Sequence, residues 1–200
     1  MEPSPNKLDA DYWNHRFEKN DTPWDIGHVS DPIKNYIDQL TNKNISILIP
    51  GCGNSYEAGY LLQNGFTNLT VIDISPILTA RLEEKYKQYA GKKLHIITGN
   101  FFDLKGQFDL ILEQTFFCAL EPSQRSRYCI QMHLLLKSTG KLAGLLFNRQ
   151  FANPGPPFGG SLEEYRQLFS VLFRIIKLEA CYNSIKSREG SECFFMLQKK

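Results

Sequence analysis

No stretch of the 200-residue chain approaches the roughly 20 consecutive apolar residues that a membrane-spanning helix needs. The longest apolar run, around Leu142 to Phe147, has the length of a buried strand. No leader is expected either: Met1-Glu2-Pro3-Ser4-Pro5-Asn6 has neither a basic start nor an apolar stretch, so a cytoplasmic location is expected. Cysteine is scarce and unpatterned. Cys52, Cys118, Cys129, Cys181 and Cys193 are odd in number and contain no Cys-x-x-Cys pair, which excludes a disulfide framework and a structural zinc site as expectations. His15, His28, His95 and His133 lack metal-ligand spacing, so no metal is expected. Charge of one sign is also missing. With 23 Lys and Arg against 21 Asp and Glu, the formal charge is +2, too small to call for a nucleic acid or a membrane surface as partner.

What is present is the composition of a globular chain: 42% hydrophobic and 22% charged residues, enough apolar material for one core in one domain. Short β-rich runs alternate with helical patterns, which predicts an α/β fold with a largely parallel sheet. Strands are expected at Ile45 to Pro50, Leu69 to Ile74, Leu94 to Thr98, Phe108 to Glu113, Lys141 to Phe147, Arg174 to Tyr182 and Cys193 to Gln198. Asp31-Pro32 and Ser75-Pro76 place a cap and then a proline where helices should begin, to about Leu40 and to Gly91. A helix should follow the turn at Gly53, through Tyr56 to Leu62. Ser123 is expected to cap a helix to about Lys137, and Ser161 with Glu164 has capping-box spacing for another. The last two strands are separated by only about ten residues around Ser187 to Ser191, too few for a helical crossover, so an antiparallel C-terminal hairpin is expected. The run from Asn153 to Gly160, with three prolines and three glycines, reads as a stiff loop.

The chemistry concentrates at Ile47-Leu48-Ile49-Pro50-Gly51-Cys52-Gly53-Asn54-Ser55, a buried strand that breaks at two glycines and enters a helix. In open α/β sheets this turn lies at the carboxyl edge, where ligands bind, and glycine allows close backbone approach. Asp73 follows twenty residues after Gly53, at the end of the next strand, where a carboxylate can accept from both hydroxyls of a ribose. Together they imply a nucleoside-containing cofactor. A dinucleotide fingerprint would want a third glycine where Tyr56 stands, and no Lys-Ser/Thr pair offers a phosphate cradle. S-adenosylmethionine, with a ribose and no phosphate, fits better. A nicotinamide-dependent oxidoreductase is the rival enzyme; a plain tight turn with a solvated Asp73 is the rival without a ligand.

Further motifs run in order along the chain: Trp13-x-x-x-Phe17, Thr22-Pro23-Trp24-Asp25-x-Gly27, Asp73-Ile74-Ser75, Asn100-Phe101-Phe102, Phe108-Asp109-Leu110-Ile111, Phe116-Phe117-Cys118-Ala119-Leu120-Glu121-Pro122 and Gly155-Pro156-Pro157. With Pro50-Gly51-Cys52-Gly53, this series resembles class I S-adenosylmethionine-dependent methyltransferases, and among them the thiopurine S-methyltransferase family, nearest its thiol and halide methyltransferase branch. The resemblance implies a Rossmann-like three-layer fold with a seven-stranded sheet. It also implies that residues 1–40 cover the cofactor while residues 41–200 form the core. Cofactor contacts are then expected from Trp13, Phe17, Trp24, Gly51, Gly53, Asp73, Ile74, Asn100, Phe101 and Gln114. The family often has an acid at Asn100 and this branch a tyrosine at Gln114. Phe116, Phe117, Arg149 and Phe158 are expected to face the methyl acceptor, a thiol, a thiopurine, a halide or a related chalcogen compound. No side chain is singled out as a catalytic base or nucleophile; S-adenosylhomocysteine would be the product, and the protein a monomer. A catalytically silent module that only binds the cofactor is the remaining alternative.

Overall fold

The computed structural model describes residues 8–200; the opening Met1 to Asn6, read above for a leader, lies outside the described residues. Helix α1 spans Ala10–Glu18 and α2 Asp31–Asp38. The chain then alternates through β1 (Ile47–Pro50), α3 (Tyr56–Gln63), β2 (Leu69–Asp73), α4 (Pro76–Lys85), β3 (Leu94–Thr98), β4 (Phe108–Glu113) and α5 (Arg125–Leu135). It ends with β5 (Leu136–Phe147), α6 (Leu162–Ser170), β6 (Phe173–Ala180) and β7 (Glu192–Lys199). The seven strands form one sheet in the order β3-β2-β1-β4-β5-β7-β6. Strand β7 pairs antiparallel with both β5 and β6, so it alone runs against the other six.

Both faces of the sheet are buried, as a parallel sheet requires. Because strand side chains alternate, Ile47 and Ile49 of β1 enter one apolar cluster with Leu69 and Val71 of β2 and the inner faces of α2, α3 and α4. Leu48 and Ile72 point the other way, into a second cluster with Tyr128 and Met132 of α5 and Tyr165 and Phe169 of α6. Asp109, in an otherwise apolar strand, has a fastening role: its Oδ2 accepts from Ser46 N and Oγ and from Lys137 Nζ, tying β4 to the chain before β1 and to β5.

Helix starts follow the capping grammar in part: α2 begins at Asp31 itself, with Ser30 as an N-cap that makes no side-chain bond, so the expected cap at Asp31 does not form. Ser75 accepts from Leu78 N as N-cap of α4, and Ser161 from Glu164 N as N-cap of α6. The expected cap at Ser123 does not form. Pro122 opens a short 3-10 turn over Pro122–Gln124, and α5 starts at Arg125 without a side-chain cap. The same helix stops at Leu135, not Lys137, because Leu136 already pairs with Phe108 across β4 and β5. Gly140 permits that close pairing, since a Cβ there would lie 2.9 Å from the Phe108 carbonyl oxygen. Helix α1, within the expected cover, carries Phe17 into the core and is capped by Asp9.

Candidate functional site

The carboxyl ends of β1, β2 and β4 open into a cavity of about 600 Å³ roofed by α1 and the loop after it. Its floor is the turn leaving β1, where Gly51 (φ +54°), Gly53 (φ +50°) and Ser55 (φ +52°) all adopt the left-handed conformation. Gly51 has a packing reason as well: a Cβ there would lie 2.1 Å from Phe116 Cδ2. At Gly53 a Cβ would meet nothing within 4 Å, so this backbone faces open space in the cavity wall. Beside it, Ser55 Oγ is buried next to the Cys52 thiol, with no nitrogen or oxygen partner. An open backbone cradle of this kind, with no Cβ in the way at Gly53, leaves room for a polar ligand to come close.

Asp73 closes β2 at 8% exposure, its carboxylate aimed by two backbone donors: Gly53 N to Oδ2 at 3.3 Å and Ser75 N to Oδ1 at 3.0 Å. Burial pushes its pKa up, while those bonds and one from Ile74 pull it back. Each oxygen keeps a further lone pair for a ligand hydroxyl.

The roof is aromatic. Trp13 and Trp24 meet edge to face at 5.5 Å, Phe17 and Trp24 at 6.1 Å, and Arg16 lies 4.9 Å over the Trp24 ring. Polar ties hold the roof to the floor. Asp25 Oδ2 accepts from Asn54 Nδ2 and from Tyr56 OH, Ser75 Oγ donates to Asn14 Oδ1 at 2.6 Å, and Ser30 Oγ donates to Gln114 Oε1 at 3.1 Å. Gln114, where the branch often has an aromatic residue, thus serves as a tie to the start of α2. At the far end, Asn100 Oδ1 accepts from Phe102 N at 3.0 Å, so the side chain of this expected cofactor contact caps its own turn.

The cavity brings together Trp13, Phe17, Trp24, Gly51, Gly53, Asp73, Ile74, Asn100, Phe101 and Gln114, and adds Phe116. Three expected acceptor contacts do not reach it. Phe117 turns into the core at 1% exposure, edge to face with Tyr128 at 5.0 Å and Tyr165 at 5.7 Å. Arg149 is exposed and lies 5.0 Å over the Phe151 ring. Phe158 covers Gly155, where a Cβ would lie 2.6 Å from its ring. The cavity lining includes instead Phe147, Cys118, Pro156, Pro157 and Arg188.

Arg188 is the residue sequence reasoning missed. Its side chain is 10% exposed; it donates to Trp24 O at 2.7 Å, pairs with Glu192 at 3.3 Å and lies 5.6 Å over the Phe147 ring. It places a guanidinium, paired with Glu192, between Trp24 of the roof and Phe147. The Gly155-Pro156-Pro157 motif was a signal for the wall opposite, and no local pattern announces Arg188. Cys118 is pushed up to about 12 by burial, so at neutral pH it is a thiol and a poor nucleophile.

Glu113 fixes the turn that carries Phe116. Fully buried at the end of β4, it accepts from Phe116 N and Phe117 N through Oε1, and from Tyr128 OH through Oε2. Burial pushes its pKa up to about 7, and burial likewise lifts Glu57 to about 7. With the folded value above the unfolded one, their stabilising contribution is complete below the ordinary carboxylate range and is lost as pH rises through about 7. The denaturation midpoint should therefore fall between about pH 5 and about pH 8, and Glu113→Gln should flatten part of that slope. An unchanged slope in urea titrations of the variant would place Glu113's ionisation outside the folding equilibrium.

Among the described residues, no cluster of His, Cys, Asp and Glu has the arrangement of a metal site, and no helix is long and apolar enough to cross a membrane. The fold is that of class I methyltransferases. One solved structure, the Burkholderia thailandensis 1,6-didemethyltoxoflavin-N1-methyltransferase with bound 1,6-didemethyltoxoflavin and S-adenosylhomocysteine, superposes with a TM-score of 0.73 at 16% identity, over 95% of this chain and 86% of that one. Residues 8–199 match the thiopurine S-methyltransferase (TPMT) family, to which the chain belongs; it is an S-adenosylmethionine-dependent methyltransferase. Among named relatives, a probable thiol methyltransferase 2 of Arabidopsis thaliana is 30% identical, aligned over 90% of this chain and 81% of its own length. Thiocyanate methyltransferase 1 of Brassica oleracea is 27% identical, over 94% and 84%.

Proposed function

We propose that the chain methylates a small, polarizable sulfur nucleophile, a thiolate or a thiocyanate-like anion. The observation that carries this reading is one continuous cavity in which the Gly51–Ser55 cradle and Asp73 meet an apolar chamber of Phe116, Phe147, Pro156 and Pro157 with Arg188 at its edge. Asp73 holds the ribose hydroxyls, Ile74, Asn100 and Phe101 border the adenine, and the glycine backbone receives the methionine portion. Gln114 secures the roof at the same place. When bound, the cofactor supplies an electrophilic methyl group on a sulfonium. Trp13, Phe17 and Trp24 cover it, excluding water and facing its positive charge with ring electrons, contacts worth roughly 0.5–2 kcal/mol each.

A thiolate needs no dedicated base, so the protein's task is to align and desolvate it. Arg188 draws the anion in and its partner Glu192 keeps the guanidinium oriented. The same chemistry admits a halide. The plant relatives named for thiol and thiocyanate support this acceptor class. The expected monomer and cytoplasmic location belong to this reading too; five free, buried cysteines suit a reducing compartment. Residues 8–40 act in it as the cover.

The test is transfer of labelled methyl to a panel of hydrosulfide, small organic thiols, thiocyanate, iodide and a thiopurine. Transfer to sulfur acceptors is expected; transfer to none, with S-adenosylhomocysteine still bound, would leave a silent binding module. Arg188→Met should raise the KM for anionic acceptors by roughly tenfold or more and leave S-adenosylhomocysteine affinity within about twofold, because a buried cation contact to an anion is worth a few kcal/mol at most. Equal KM values for wild type and variant would remove Arg188 from acceptor recognition.

A further inference from the structure

The acceptor chamber has two walls, the turn after β4 with Phe116 and Cys118, and the loop carrying Pro156 and Pro157. These walls are clipped to each other. Phe158 N donates to Cys118 O at 2.7 Å. The second clip is Arg125, the first residue of α5, with a side chain 8% exposed. Its NH2 donates to Gly159 O at 2.6 Å, its NH1 pairs with Glu164 of α6, and its guanidinium lies 4.9 Å over the ring of Phe117. Gly159 and Gly160 are close-fitted beneath it: a Cβ would lie 1.8 Å from Arg149 O at the former and 2.3 Å from Tyr165 OH at the latter. Gly160 N also donates to Arg149 O at 3.0 Å, so the loop's end is held by two backbone bonds and by the one side-chain bond from Arg125.

Burying this guanidinium is costly. Its Nε has no partner, and an apolar side chain of similar volume would cover Phe117 without a desolvation penalty. What an apolar residue would not do is hold the Gly159 carbonyl and α6 at once from the base of the opposite wall. A planar fork with donors in fixed directions does so, and a lysine would reach only one of the two acceptors.

We propose that Arg125 is a positioning residue that sets the width of the acceptor chamber and thereby favours small acceptors over bulky ones. This rests on the methyl-transfer reading above. With the brace removed, the proline wall keeps only its backbone bonds at Phe158 and Gly160 and yields outward, a small nucleophile is less well aligned, and a larger one is accommodated. Misalignment of this kind in a displacement reaction is expressed steeply in rate.

The experiment compares wild type, Arg125→Met, Arg125→Lys and Glu164→Gln, with hydrosulfide and thiophenol as acceptors. The ratio of kcat/KM for hydrosulfide over thiophenol should fall by about fivefold or more in Arg125→Met, by less in Arg125→Lys, and by under about twofold in Glu164→Gln, which keeps the Gly159 bond. The dissociation constant of S-adenosylhomocysteine should stay within about twofold throughout. Amide exchange at residues 158–160 should quicken in Arg125→Met, which is readable whether or not either acceptor turns over. An unchanged ratio, a loss equal for both acceptors, or exchange as slow as in wild type would overturn the proposal. If wild type binds S-adenosylhomocysteine but methylates neither acceptor, the acceptor reading fails separately, and exchange alone decides whether Arg125 braces the wall.

Discussion

Replacing Asp73 with alanine should weaken binding of S-adenosylhomocysteine by roughly 5- to 150-fold, equivalent to about 1–3 kcal/mol. The carboxylate is held by Gly53 N and Ser75 N, so its remaining lone pairs point in fixed directions and little ordering entropy is spent when a ribose arrives. Stability should fall as well in the alanine variant, because the buried Gly53 N and Ser75 N lose their acceptor. Because burial raises the pKa of Asp73, its ionised form is disfavoured in the fold. Asp73→Asn removes that penalty and retains a side-chain oxygen for one backbone donor. Calorimetric titration and thermal denaturation on the same samples separate the two effects. Affinity equal to that of wild type would mean that the ribose is held elsewhere in the cavity.

How much of this was legible beforehand depends on how far apart in the chain the partners lie. The two-glycine turn and Asp73 are local features of strand ends, and a buried strand ending at glycine has few other conformations. The C-terminal hairpin was readable from the short connection, although the insertion of β7 between β5 and β6, which leaves β6 parallel to β5, was not. Phe116 and Phe117 show where local pattern fails. They are adjacent and chemically identical, yet one lines the cavity and the other lies in the core. The difference is set by Thr115 at φ +59° and by Glu113 accepting from both backbone amides, neither of which side-chain type reveals. Arg188 was out of reach for another reason. Its partner Trp24 is 164 residues away, and the contact exists only because β7 returns to the middle of the sheet.

The paired substitutions Gly51→Ala and Gly53→Ala should separate folding from binding within one turn. Both positions have positive φ, and an alanine held there costs about 1–2 kcal/mol. At Gly51 the new methyl would also collide with Phe116 at Cδ2, Cγ and Cβ, and that side chain has little room to withdraw, because its backbone amide is held by Glu113 and its ring packs on Phe101 at 5.1 Å. Forced repacking adds about 1–3 kcal/mol, so Gly51→Ala should lose roughly 2–5 kcal/mol of stability and lower turnover through the displaced Phe116. At Gly53 the methyl enters empty space, so the stability loss stays near the backbone cost alone. Its effect falls on the ligand: the methyl occupies the approach to the cradle, and S-adenosylhomocysteine affinity should drop by about tenfold or more while the fold persists. Urea denaturation without ligand, set beside ligand titration of each variant, reads both quantities. If Gly53→Ala bound as tightly as wild type, the open wall of this turn would not be where the cofactor lies, and the reading of Asp73 as its ribose anchor would lose its neighbour.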